Sequence, residues 1–202
     1  MNDDSPRPSL QIASPFNSAC DTPLKKSKAP HTQHLISTLV RESKWKSAPS
    51  FDYDTLIENC LSAVLNAIAK QENSQPKNFE LSVLLTNDAE IQDLNKEYRQ
   101  KDTPTNVLSF ESGYSLDLQK GDQAPAPIPL GDLVLSYETL KKEAEFQHKS
   151  FQDHLTHLLI HGLLHLFGFD HEDESEADEM EHLEINILDK EFHIKSPYTV
   201  RG

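Results

Sequence analysis

At 202 residues the chain suits one domain of ordinary size with an appendage and is short for two independent cores. Apolar residues make up 36% of it, and no apolar run approaches the roughly 18 residues that span a bilayer, which excludes a membrane-spanning helix. Nineteen Lys and Arg against 33 Asp and Glu, a net charge of -14, argue against coating nucleic acid through a basic surface, so any such contact must be local.

The start, Met1 to Pro6, has neither a basic region nor an apolar run, so retention in the cytoplasm is expected. Residues 1–50 hold six of the twelve prolines and nine serines, with seven basic against four acidic side chains. They read as a disordered basic extension, with a short helix possible from His34 to Arg41. The remainder is strongly acidic. Cys20 and Cys60 are too few for a disulfide framework and read as a spare thiol and a small buried hydrophobe.

From Phe51 the pattern becomes that of a packed domain. Leu56, Ile57, Cys60, Leu61, Val64, Leu65 and Ile68 recur at helical spacing. Phe79 to Leu85 reads as a buried strand, and Asn87 with Glu90 caps a helix carrying Ile91, Leu94 and Tyr98, ended by Pro104. Val107 to Phe110 and Leu130 to Tyr137 are further strands, separated by a Pro-rich excursion from Ser112 to Pro129 that is either a lid or a plain loop. Helices are expected from Glu138 to Gln147, Phe151 to Phe167 and Glu174 to Glu191. Strands mixed with helices point to an α+β fold with a small sheet.

Ten histidines is the unusual count, and six of them fall between His148 and His171. Positions four apart share a helix face, so His157, His161 and His165 form a column with His154 at its edge. Leu155, Leu158, Leu159, Leu163 and Leu166 make the rest of that helix apolar, so its imidazoles need partners. One divalent cation satisfies several at once. Three nitrogens spread over about 12 Å of straight helix cannot all reach one ion at about 2.1 Å, so His157, His161 and His165 fail as a set. His161 and His165 with His171, brought back by a turn at Gly168, succeed and leave one position open, the mark of a catalytic site. The spacing equals that of the metzincin peptidase motif, but Gly162 stands where those enzymes carry their glutamate base.

His161-Gly162-Leu163-Leu164-His165-Leu166-Phe167-Gly168-Phe169-Asp170-His171 resembles the signature of the YbeY family of bacterial endoribonucleases that mature ribosomal RNA. Leu94-Asn95, Tyr98-Arg99, Lys101-Asp102 and Pro104 to Phe110 form a second match. Leu130 to Ser136 is similar to the family's next strand, and Met180 and Glu184 to its C-terminal helix. The resemblance covers roughly residues 51–195, leaving the extension and a tail at 196–202.

The resemblance implies a zincin-like α+β fold, with a small mixed four-stranded sheet and the metal site on a central helix. It implies one zinc ion on His161, His165 and His171, with Arg99 across the cleft offering its planar fork to a phosphate. The implied activity is single-strand-specific cleavage of RNA in late 16S rRNA 3′-end maturation and ribosome quality control. The implied partners are rRNA and small-subunit proteins, with no membrane and no DNA. Asp170 and His157 are candidate proton-transfer or orienting groups. Asp102 is a candidate to position Arg99, while Asp132, Ser109 and Ser136 are weaker cleft candidates. The acidic run from Glu172 to Glu181 lacks a Gly-containing calcium loop and reads as a helix start with a solvated face. A zinc hydrolase of another bond and a non-catalytic ribosome-assembly factor are the rival readings.

Overall fold

The computed structural model describes residues 25–26, 34–47, 51–72, 78–113, 127–170 and 173–195. The strands are β1 (Lys25–Lys26), β2 (Leu35–Val40), β3 (Phe79–Thr86), β4 (Val107–Glu111) and β5 (Ile128–Ser136). The helices are α1 (Ser43–Ser47), α2 (Tyr53–Glu72), α3 (Asp88–Arg99), α4 (Tyr137–Phe146), α5 (Phe151–Leu166) and α6 (Glu174–Phe192). No helix among the described residues is long and apolar enough to cross a membrane. The expected tail at 196–202 and most of the Ser112 to Pro129 excursion lie outside the described residues.

The sheet runs β1-β2-β3-β5-β4. β2 and β5 flank β3 in parallel, while β4 and β1 are antiparallel to β5 and β2. The four longer strands make the expected mixed sheet, and β1 adds a two-residue fifth at the edge. Alternation along the strands divides the core. Leu81, Val83, Leu85, Leu133 and Leu135 face a large cluster under α2, α5 and α6. Leu84, Leu108, Phe110 and Val134 face the other way, where α3 covers them with Ile91, Leu94 and Tyr98.

The region before Phe51 corrects the expected boundary. The stretch proposed as a short helix from His34 to Arg41 is strand β2, paired in parallel with β3 from Leu35↔Glu80 to Val40↔Leu85. Ile36, Thr38 and Val40 are β-branched, and six residues are too few to sustain a helix against pairing with β3. Trp45 in α1 is fully buried and donates its indole N–H to the Thr86 carbonyl at 2.8 Å. The folded unit therefore includes the chain from His34, and the remainder of the expected extension, apart from β1, lies outside the described residues.

Two local features fix the sheet beside the site. At Gly131 φ is 139°, and a Cβ there would lie 2.2 Å from the Phe110 carbonyl oxygen, so only glycine lets β4 and β5 close at this point. α3 stops at Arg99 because Gln100 adopts φ 59° and its N–H bonds back to Lys96, five residues before the expected stop at Pro104.

Candidate functional site

α5 begins at Ser150, whose hydroxyl accepts from the Asp153 N–H at 3.0 Å. It ends in the expected reversal. Gly168 has φ 86°, its N–H bonds to the His165 carbonyl at 2.9 Å, and the Phe169 N–H bonds to Leu164 at 3.1 Å. The returning Phe169 carbonyl then accepts from His165 Nδ1 at 2.9 Å.

Along the helix the imidazoles stand as the spacing predicts. Ring centroids are 5.9 Å apart for His154 and His157, 6.3 Å for His157 and His161, and 4.7 Å for His161 and His165. Glu184 of α6, with no exposed surface, lies against two of them. One oxygen contacts His157 Nε2 and the other is 3.3 Å from His161 Nδ1. Burial pushes this carboxyl up, but hydrogen bonds and charge from His157 and His161 outweigh it and bring its pKa down to about 2.

These partners dictate tautomers. A carbonyl only accepts, so His165 Nδ1 carries its hydrogen; an ionised carboxylate likewise takes the hydrogen on His161 Nδ1. Both rings, when neutral, then carry a lone pair on Nε2, and those two nitrogens are 3.2 Å apart. Two ligands on a tetrahedral zinc with bonds of about 2.0–2.1 Å are separated by about 3.3–3.4 Å. The pair therefore fits a cation chemically and geometrically, with each remaining ring nitrogen already oriented. His171, the expected third ligand, lies outside the described residues, among which no group of three metal-capable side chains converges.

Other expected site residues are placed as follows. His157 is in the column, bound to Glu184. Asp170 is half-buried just past the reversal, and its charge, after partial burial, raises the carboxyl of Glu111 at the end of β4. Arg99 is exposed on α3, which covers the opposite face of the sheet, and no described contact joins it to the histidines. Asp102 does not serve Arg99: it accepts from Lys96 at 2.7 Å and Gln92 at 2.9 Å, which hold its carboxyl below the usual range. Ser109 donates to the Gly162 carbonyl at 3.1 Å and Ser136 to Asp88, so both hold elements together. Met180 and Ile187 pack in the core as expected, and Asp173 accepts from the Glu176 N–H at the start of α6.

Gly162 acquires a physical reason. A Cβ there would lie 2.9 Å from Leu133 Cδ2 and 3.1 Å from Ser109 Oγ. The position faces β4 and β5, and any side chain there would force Leu133 and Ser109 to shift. Glu184 is the residue whose role the sequence left unread; its signal was an acid at the buried spacing of Met180 and Ile187.

The fold and site define an α+β protein with a histidine-bearing helix backed by a buried carboxylate and laid under an edge strand. The family model described as Endoribonuclease YbeY matches residues 40–191. The chain belongs to the YbeY family. It is 46% identical over 145 residues to Endoribonuclease YbeY of Bartonella bacilliformis, covering 72% of this chain and 85% of that protein. With the protein of the same name from Bradyrhizobium sp. it shares 36% identity over 178 residues, 88% and 98% of the two chains. The Agrobacterium fabrum relative is 51% identical over 131 residues, 62% of this chain and 75% of that one.

Proposed function

We propose that the chain is a zinc-dependent, single-strand-specific endoribonuclease that acts in the cytoplasm on late 16S rRNA 3′-end maturation and ribosome quality control. Its relatives' name supports the reaction class, and the 3.2 Å approach of the His161 and His165 Nε2 atoms is the observation that carries the metal. His161 and His165 would hold the ion, with His171 as third ligand. When bound, zinc supplies Lewis acidity at a phosphoryl oxygen and makes water acidic near neutrality.

The chain's own residues orient and transfer. Glu184 and the Phe169 carbonyl keep both Nδ1 hydrogens in place, so neither ligand turns away. Arg99 is assigned to a phosphate of the bound strand, and His157 and Asp170 to proton transfer. Crowding at Gly162 disfavours the peptidase alternative, because the helix position of the peptidase base is filled by Leu133 and Ser109. The acidic charge predicts weak affinity for free RNA, with small-subunit proteins delivering the substrate.

The test is zinc content per chain together with cleavage of a single-stranded RNA by wild type, metal-stripped protein, His161→Ala and Arg99→Ala. Loss of cleavage in all three altered forms, with zinc lost from His161→Ala but kept by Arg99→Ala, is expected. Undiminished cutting after rigorous metal removal overturns the proposal.

A further inference from the structure

One turn before the column, a second polar group joins three elements. His154 is 1% exposed, and its Nε2 is 2.9 Å from Glu143 Oε2 of α4. The same oxygen accepts from Asn106 Nδ2 at 2.9 Å. Burial raises the Glu143 carboxyl, and these two hydrogen bonds outweigh it to hold it below its usual range. The other end of Asn106, Oδ1, accepts from the Val107 N–H at 2.7 Å, and its carbonyl accepts from the Ser136 N–H at 3.0 Å. Asn106 thus fixes the entry of β4 to both α4 and β5.

β4 is an edge strand. The Asn106–Ser136 and Ser112–Leu130 backbone bonds place even-numbered residues in the bonded pairs with β5, which turns the backbones of Val107, Ser109 and Glu111 outward. Ser109 Oγ also bonds the Gly162 carbonyl, so this edge runs beside the turn of α5 that carries His161.

A buried imidazole tied to a half-buried carboxylate and a half-buried amide is a poor way to gain stability, because apolar side chains of similar shape do at least as well. What hydrogen bonds supply and apolar packing does not is a fixed distance. We infer that Asn106, Glu143 and His154 are positioning residues: a strut that sets the spacing between the β4 edge and the histidine column, and so the placement of an RNA strand over His161 and His165. The inference rests on the endoribonuclease reading. A misplacement of about 1 Å is worth about a hundredfold in rate, so such a strut matters to turnover out of proportion to stability.

The experiment compares wild type with a Glu143→Leu/His154→Phe double variant, which keeps packing, with Asn106→Asp, which sets a carboxylate against Glu143, and with Glu143→Gln, which keeps an acceptor for both partners. Urea midpoints, zinc content, amide exchange in metal-free protein and RNA cleavage are measured. The double variant is expected to retain its urea midpoint and zinc while kcat falls at least about tenfold with KM little changed. Exchange at Val107, whose N–H bonds to Asn106, and at Leu108 and Phe110, which sit in the bonded pairs with β5, should quicken in the double variant and in Asn106→Asp, and Glu143→Gln should restore both properties. Wild-type exchange and kcat in the double variant and Asn106→Asp would overturn the strut, as would kcat losses that merely track the folded fraction. Should the double variant not fold, Asn106→Asp against Glu143→Gln decides by the same readouts. Absence of RNA cleavage by wild type would defeat the endoribonuclease reading alone, because the exchange measurement still judges the strut.

Discussion

Glu184 has no exposed surface and lies between two imidazoles, so its removal strands both of their hydrogens in the interior. Breaking such a buried pair costs about 3 kcal/mol. Glu184→Ala is expected to lower metal-free stability by about that amount in urea titrations and to weaken zinc binding by roughly 10–100-fold. Unchanged zinc affinity would mean that His161 is oriented by something else. Gly131 makes a second prediction at this scale. Gly131→Ala meets both a positive φ and the Phe110 carbonyl, and should destabilise by about 3 kcal/mol or more, whereas Gly168→Ala, with open space around its Cβ position, should lose only about 1–2 kcal/mol. Equal losses at the two glycines, read from urea midpoints, would contradict the close approach of β4 and β5. His161 and His165 were legible from spacing alone because positions four apart share a helix face; Glu184 was matched only to the family's C-terminal helix, and its role was not legible because its contacts come from another helix.

Among the elements, α2, α3, α5 and α6 were readable because an apolar face recurs every three to four residues. β2 was not: six residues of mixed polarity lie among Pro, Ser and Lys, and what makes them a strand is pairing with β3, some 45 positions on. Arg99 came from the family resemblance and not from periodicity, and α3, which carries it, packs on the other face of the sheet from α5. β2 has its own pH signature. His34, 2% exposed just before the strand, accepts from the Phe79 N–H through Nδ1 and must be neutral to do so. Burial holds its pKa below the ordinary 6.5. The unfolded chain therefore takes up a proton that the folded chain refuses, and stability contributed by this site is present above about pH 6.5 and falls as pH drops below it, by at most about 1.4 kcal/mol per pH unit. Urea titrations at pH 7.5 and 5.5 should show that loss in wild type and a smaller one in His34→Gln, which keeps an acceptor without a titrating group. An identical pH dependence in both proteins would remove His34 from the account.

For the molecule as a whole, one face of the sheet carries the histidine helix and the other carries α3 with Arg99. The histidine helix lies under the edge strand, with its reversal at Gly168 returning the chain toward the ring nitrogens of His161 and His165. The net charge of -14 disfavours binding of nucleic acid by bulk attraction, so recognition must be local. Everything functional then turns on whether the histidines share an ion. X-ray absorption at the zinc edge of the loaded full-length chain tests this most directly. One zinc per chain with three imidazole nitrogens at about 2.0–2.1 Å is predicted, reduced by one nitrogen in His165→Ala. A zinc environment without histidine nitrogens, or one unaltered in both His161→Ala and His165→Ala, would contradict it.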